Sequence, residues 1–314
     1  MILNGMSKMH SNAVAGSDPF WVALGNGTNT IAHSTDGTTW TGLGTSIFSS
    51  AGYGVAWNGI MWVALGNGTN TIAHSTDGIT WTGLGTSIFS SAGYGVAWNG
   101  IMWVAVGGGT NTIAHSTDGI TWTGLGTSIF SSLGFSVAWN GSMWVAVGGG
   151  TNSIATSTDG ITWTGRGTSI FSSAGRGIAW NGSMWVAVGN GTNTIATSTD
   201  GITWTGQGTS IFSSVGSSVA WNGSMWVAVG GGTNTIAHST DGITWTGLGT
   251  SIFSSYGNSV AWNGSMWVAV GGGTNSIATS PDGITWTGLG TSIFSSAGRG
   301  IASIPAPNLY PALT

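Results

Sequence analysis

The stretch GVAWNGIMWVALGNGTNTIAHSTDGITWT, residues 54–82, decides the fold. It holds two β-rich runs around an Asn58-Gly59 turn, a Gly-rich loop at 66–70, a third β-rich run, and a second turn at Asp77-Gly78 before Trp81. Asn-Gly between short runs of β-favouring residues is a strong hairpin signal. The spacing predicts four strands: A from Gly54 to Trp57, B from Met61 to Leu65, C from Thr71 to Ser75 and D from Ile79 to Thr82. Strand B is apolar at every position, as a strand covered on both faces must be. In strand D, Ile79 and Trp81 are expected on one face and Thr80 and Thr82 on the other, which suits an outer edge.

The same stretch recurs along the chain. Trp-Val-Ala begins at Trp21, Trp62, Trp103, Trp144, Trp185, Trp226 and Trp267, each 41 residues after the last. A second Trp keeps the same spacing from Trp40 to Trp286 and a third from Trp57 to Trp262, and together these positions account for all 20 tryptophans. Four short antiparallel strands per unit of about 40 residues is the pattern of a propeller blade. A lone four-stranded sheet, apolar on both faces, cannot hide its tryptophans, so each blade must stack between two others. The expected fold is therefore all-β: a seven-bladed β-propeller of 41-residue repeats with four antiparallel strands per blade.

The termini hold two candidates for the innermost strand of the blade containing Trp21. Ala13-Val14-Ala15 has the right phase, and so does Gly300-Ile301-Ala302. Residues 295–302 repeat 172–179 one for one, whereas Ser17-Asp18-Pro19 replaces the Asn-Gly turn at the N-terminal side. The C-terminal segment is thus expected to close the ring. The division this implies is an N-terminal tail at 1–12, a propeller at 13–303 and a C-terminal tail at 304–314.

The turn Ser75-Thr76-Asp77-Gly78-Ile79-Thr80-Trp81 occurs in every unit, with Pro281 once in place of Thr and Thr38 once in place of Ile. It resembles the Asp box, S-x-D-x-G-x-T-W, shortened by the residue between Asp and Gly. The whole repeat is similar to the repetitive propellers of bacteria and large viruses. The resemblance implies that Asp36, Asp77, Asp118, Asp159, Asp200, Asp241 and Asp282 hold their turns by accepting backbone hydrogen bonds. Asp-box propellers include sialidases, sorting receptors and lectin-like proteins, so fold alone does not assign an activity. A WD40 reading fits less well, since no Trp-Asp dipeptide occurs.

Charge is scarce. The 314 residues carry four Lys or Arg and eight Asp with no Glu. Nucleic acid is not an expected partner, because no basic patch is available to neutralise phosphates. No membrane-spanning run is present, the first ten residues do not read as an export signal, and the compartment is left open. Glycoside hydrolysis usually uses two carboxyl groups, and sialidases use a Tyr nucleophile assisted by Glu. With no Glu, three Arg, and every Asp but Asp18 committed to a turn, no catalytic residues are assigned and a non-enzyme is expected. Neither cofactor nor metal is called for. His33, His74, His115 and His238 share one strand C position that is Thr156, Thr197 or Thr279 elsewhere, which reads as a surface position occupied one per blade.

Near-identical copies are most informative where they differ. Between strand D and the next strand A the linker keeps Thr45-Ser46-Ile47-Phe48-Ser49-Ser50, with Ile47 and Phe48 expected to pin it to the core. Around that anchor one column reads Leu43, Leu84, Leu125, Arg166, Gln207, Leu248, Leu289 and another Ala51, Ala92, Leu133, Ala174, Val215, Tyr256, Ala297. A third, placed just before strand A, reads Tyr53, Tyr94, Phe135, Arg176, Ser217, Asn258, Arg299. It should ring the mouth of the central channel. Aromatic rings beside polar groups suit sugar recognition, the rings stacking on sugar faces and the polar groups fixing hydroxyls. The expected function is a non-enzymatic, lectin-like binding module, monomeric, with a glycan or protein ligand at these seven residues. The alternative is a structural or protein-interaction scaffold, arisen by repeat amplification or by design, and a glycoside hydrolase ranks last.

Overall fold

The computed structural model describes Phe20 to Ile304. These residues form 28 strands and no helix, in seven blades of four. Blade 2 is typical: strand A is Ala51–Trp57, B is Trp62–Asn67, C is Ile72–Ser75 and D is Thr82–Gly83. The strands pair antiparallel in sequence order, with Trp57 opposite Trp62, Trp62 opposite Ser75 and His74 opposite Thr82. The A strands of successive blades adjoin around the axis without a break, from blade 1 through blade 7 and back.

The core lies between blades. Trp62, Val63, Ala64 and Leu65 are all fully buried. Their side chains alternate, so one strand B serves two interfaces. Trp62 and Ala64 pack with Val22 and Leu24 of blade 1, while Val63 and Leu65 pack with Trp103 and Ala105 of blade 3. The same exchange continues around the ring and ends with Val268 and Val270 of blade 7 against Trp21 and Ala23 of blade 1. Truncating one of these indoles to Ala would cost about 3–5 kcal/mol, the usual loss for a large buried aromatic. The linker is anchored as its pattern predicts. Phe48 is fully buried and Ile47 half-buried, and a Cβ added at Gly66 would lie 2.6 Å from the Phe48 ring. The Phe ring thus occupies space that only glycine leaves free.

The ring is closed by the C-terminal segment. Ala297–Ile304 is strand A of blade 1 and pairs antiparallel with Phe20–Asn26, setting Trp21 opposite Ser303 and Ala23 opposite Ile301. The rival segment, Ala13-Val14-Ala15, lies outside the described residues. Blade 1 departs from the others at this seam. Ser303 replaces the Trp that faces strand B elsewhere, and Phe20 takes the place of Met61, stacking on His33 at 5.5 Å between ring centroids.

Strand D is shorter than its sequence suggests. Ile79 and Thr80 were expected in the strand, but their amides donate to Asp77 Oδ1 at 2.8 and 2.7 Å, which removes them from the ladder. Ile79 is consequently 47 % exposed, whereas Trp81 is buried. Strand A differs in the opposite sense, beginning at Ala51 where the pattern placed Gly54. The Gly-rich start reads as linker because Ala51-Gly52 shows no alternation, yet both residues pair with strand B.

Removing all residues after Leu289 would leave Phe20–Asn26 without its inner partner and strip Phe294 and Ile301 from the seam. The truncated chain is expected to melt about 10 °C lower or more, given the size of a buried aromatic's contribution. An unchanged thermal midpoint by circular dichroism would contradict closure by this strand.

Candidate functional site

The strand A register explains where the divergent column sits. In blade 2, Ala51 faces Asn67 and Gly52 faces Gly66, but the next paired residue is Gly54, opposite Leu65. Tyr53 is therefore the extra residue of a β-bulge, and a bulge re-aims the side chain it carries. The same skip leaves out Tyr94, Phe135, Arg176, Ser217, Asn258 and Arg299 in the other six blades. The column lies within strand A and not before it, as the third residue of the strand. All seven bulge residues line one cavity of about 280 Å³ at the axis.

Close approach of the A strands accompanies the bulges. A Cβ added at Gly95 would lie 2.6 Å from the carbonyl oxygen of Phe135 in the next blade. The linker and the B–C loop are tied to each other. Ser49 Oγ accepts from the Thr69 amide at 3.0 Å, and the Asn70 side-chain amide donates to the Ile47 carbonyl at 2.7 Å while accepting from the Gly85 amide at 2.8 Å.

The seven side chains are unevenly distributed. Tyr53, Tyr94 and Phe135 stand on consecutive blades, with ring centroids 4.9 and 5.3 Å apart, and the Arg176 guanidinium lies 4.3 Å from the centre of the Phe135 ring. An arc of three aromatic rings capped by a cation thus covers one side. The other side carries Ser217, Asn258 and Arg299. Asn258 donates to the Gly298 carbonyl at 2.8 Å, which leaves its side-chain oxygen as an acceptor. Burial raises the Tyr94 phenol above its ordinary value, with Tyr53 adding to the rise and Arg176 and Arg299 opposing it. Tyr94 is neutral at physiological pH and able to donate.

Several members of the other two divergent columns have packing explanations. Leu43 lines a groove of about 260 Å³ between blades, with Ile47, Ile79 and Trp81. Where the column changes, the side chain finds a local partner: Arg166 Nη2 donates to Thr156 Oγ1 at 2.7 Å, and Gln207 Nε2 donates to the Gly242 carbonyl at 3.1 Å. The grooves there shrink to about 100 and 110 Å³. In the second column Leu133 and Tyr256 lie over Gly108 and Gly231 of the preceding blade, which have no side chain to oppose them. Ala51 instead faces Asn26, while Ala174 and Ala297 face Gly149 and Gly272. The contacts of Leu133 and Tyr256 could be found in sequence only by pairing each linker with the strand B before it.

The strand C histidines are not at the surface, as the pattern suggested. His33, His74, His115 and His238 are half-buried and their Thr counterparts buried, because each side chain lies beside strand B of its own blade. Burial lowers the His33 pKa, with the Asp77 carboxylate acting in the opposite sense. Among the described residues no three His, Asp, Glu or Cys come together as a metal site.

No family model matches the chain, and no curated protein is significantly similar to it. Among solved structures, the computationally designed Ika8 protein is similar at 16 % identity over 85 % of each chain, with a TM-score of 0.55. A chain of a nidogen/laminin complex is similar at 12 % identity, over 92 % of this chain and 100 % of that one, with a TM-score of 0.57. At these identities the likeness concerns the fold alone.

The seven turn carboxylates are bound in one way. In blade 3, Asp118 Oδ1 accepts from the Ile120 and Thr121 amides at 2.8 and 2.7 Å and from Ser116 Oγ at 2.9 Å, and Trp122 Nε1 donates to the Gly119 carbonyl at 3.1 Å. Amide hydrogen bonds, from Thr121 first and then Ile120, hold Asp118 at about 2 against an ordinary 3.8. Asp159, Asp200, Asp241 and Asp282 are held at about 2 in the same manner, and Asp36 lower still. For Asp77 burial pushes upward but the same bonds prevail, leaving it at about 2.

A carboxyl group with a depressed folded-state pKa contributes stability above its unfolded-state value and loses it as pH falls through the folded-state value. The thermal midpoint is therefore expected to hold above pH about 4 and to fall steeply between about 4 and 2. Asp118→Asn should be less stable at neutral pH and flatter across that window. A wild-type midpoint that stays constant down to pH about 2.5 would contradict this role of the carboxylates.

Proposed function

We propose that this protein is a non-catalytic binding module with lectin-like recognition of a glycan at the bulge ring. The observation that carries the reading is that the aromatic arc of Tyr53, Tyr94 and Phe135 lies inside a cavity at the axis, on bulge residues that have no pairing partner in the sheet. Aromatic faces in an open cavity match the apolar faces of sugar rings, and the Ser217 hydroxyl and Asn258 amide oxygen match sugar hydroxyls. We read the Ser-Thr-Asp-Gly turn as a shortened Asp box with a structural role: its carboxylates are occupied by backbone amides, which supports a non-enzyme. The protein is taken to act as a monomer, without cofactor, and to bind neither nucleic acid nor membrane.

A scaffold reading is favoured by a different observation: the near-identity of the seven blades and their low charge, which suit a rigid spacer. The two readings part at the ring. Glycan-array screening of the wild type followed by titration of the best ligand is expected to give binding that Tyr53→Ala/Tyr94→Ala weakens by about thirtyfold, taking roughly 1 kcal/mol per lost aromatic stack. Binding that survives the double substitution would place the site elsewhere. Absence of binding to any arrayed glycan would favour the scaffold.

A further inference from the structure

Two guanidinium groups line the cavity, and among the described residues no carboxylate does. Arg176 and Arg299 are two of the three arginines in the chain, and the third, Arg166, is bonded to Thr156 far from the axis. The seven carboxylates of the described residues are tied to their own turns. Arg176 Nε is buried and has no hydrogen-bond partner. Burial lowers the Arg176 pKa, though arginine remains charged in proteins. Its stacking on Phe135 holds the guanidinium plane in place without using its N–H donors. Arg299, in blade 1, is exposed. Tyr94 stands in blade 3, two blades from each, and both cations act on its phenol. The cavity is therefore lined by two positive charges and the neutral Tyr94 phenol.

A neutral ligand would leave the two like charges uncompensated, whereas an anionic group offsets both and accepts charge-assisted hydrogen bonds from them. The aromatic arc adds a second requirement, since the anion must belong to a molecule with a face to lay on Tyr94 and Phe135. At about 280 Å³ the cavity is at the small end for ligand sites, so the ring and the anionic group must be adjacent. Resting on the glycan reading above, we propose that the ligand unit at the bulge ring is a hexuronate, a sugar whose carboxylate lies between Arg176 and Arg299 while its ring stacks on the aromatic arc. Tyr94 donates to the same group, and the acceptor oxygen of Asn258 takes a sugar hydroxyl.

The test is calorimetric titration with trigalacturonate and with its methyl ester, which keeps the sugar rings and removes the charge. The wild type is expected to bind the acid at least about tenfold more tightly than the ester at low salt, since a hydrogen bond to a charged group is worth roughly 1.5–3 kcal/mol. Raising the salt should narrow the difference. Arg299→Gln, at an exposed side chain whose loss spares the core, should weaken the acid about tenfold and leave the ester unchanged. Arg176→Gln should also weaken the acid, with the thermal midpoint as a check on folding. Equal affinity for acid and ester, or an Arg299→Gln variant that binds the acid as wild type does, would overturn the hexuronate assignment while the glycan reading stands. Failure to bind either compound, with Tyr53- and Tyr94-dependent binding of a neutral glycan on the array, would overturn it too.

Discussion

The two-faced burial of strand B is the constraint from which the rest of the molecule follows. Trp62-Val63-Ala64-Leu65 places one pair of side chains against the blade before and the other against the blade after, and no single sheet can cover both. Identical units under that requirement stack until the last meets the first. The seam then needs an inner strand to complete blade 1, which Ala297–Ile304 supplies. Closure brings seven A strands around one axis, where backbones approach closely enough that a Cβ at Gly95 would meet the Phe135 carbonyl. A bulge in each A strand accompanies this crowding and directs one side chain per blade into the channel. The candidate site thus results from the same packing that makes the ring.

The division of labour among residues follows. The Trp, Val, Ala and Phe positions cannot change without opening a core, and the Asp and Ser of the turns cannot change without releasing backbone amides. The bulge residues have no pairing partner and no core contact to preserve, so they are free to differ between blades. Their differences are organised: three aromatic rings in sequence, then Arg176, then polar residues, then Arg299. That asymmetry turns a sevenfold scaffold into a cavity with an apolar side and a polar side. It also places two of the three arginines of the described residues at the axis.

Much of the architecture could be read from periodicity. The 41-residue spacing of Trp-Val-Ala counts the blades, and the repetition of 172–179 at 295–302 identifies the closing strand. The seven site positions were visible as a divergent column. Their setting was not, because a bulge is a matter of register: Ala51-Gly52 has the composition of a linker, and only its pairing with Gly66 and Asn67 shows that the strand has already begun. Strand D was overestimated for a related reason. Ile79 and Thr80 have strand composition, but the Asp77 carboxylate takes their amides first, and alternation carries no record of side chain–backbone competition. The strand C histidines misled because their burial depends on strand B of the same blade. The pairing of Leu133 with Gly108 and of Tyr256 with Gly231 is a relation across blades that no window of a single repeat contains.

The central claim, that ligand recognition belongs to the bulge ring and the rest of the surface serves the fold, is tested most directly by a crystal structure of the protein bound to the oligosaccharide it selects. The account predicts a sugar ring stacked across Tyr94 and Phe135 at the axis, one per molecule. Sugar density between blades, in the grooves formed by Leu43 and Trp81, with the channel left to solvent, would contradict it.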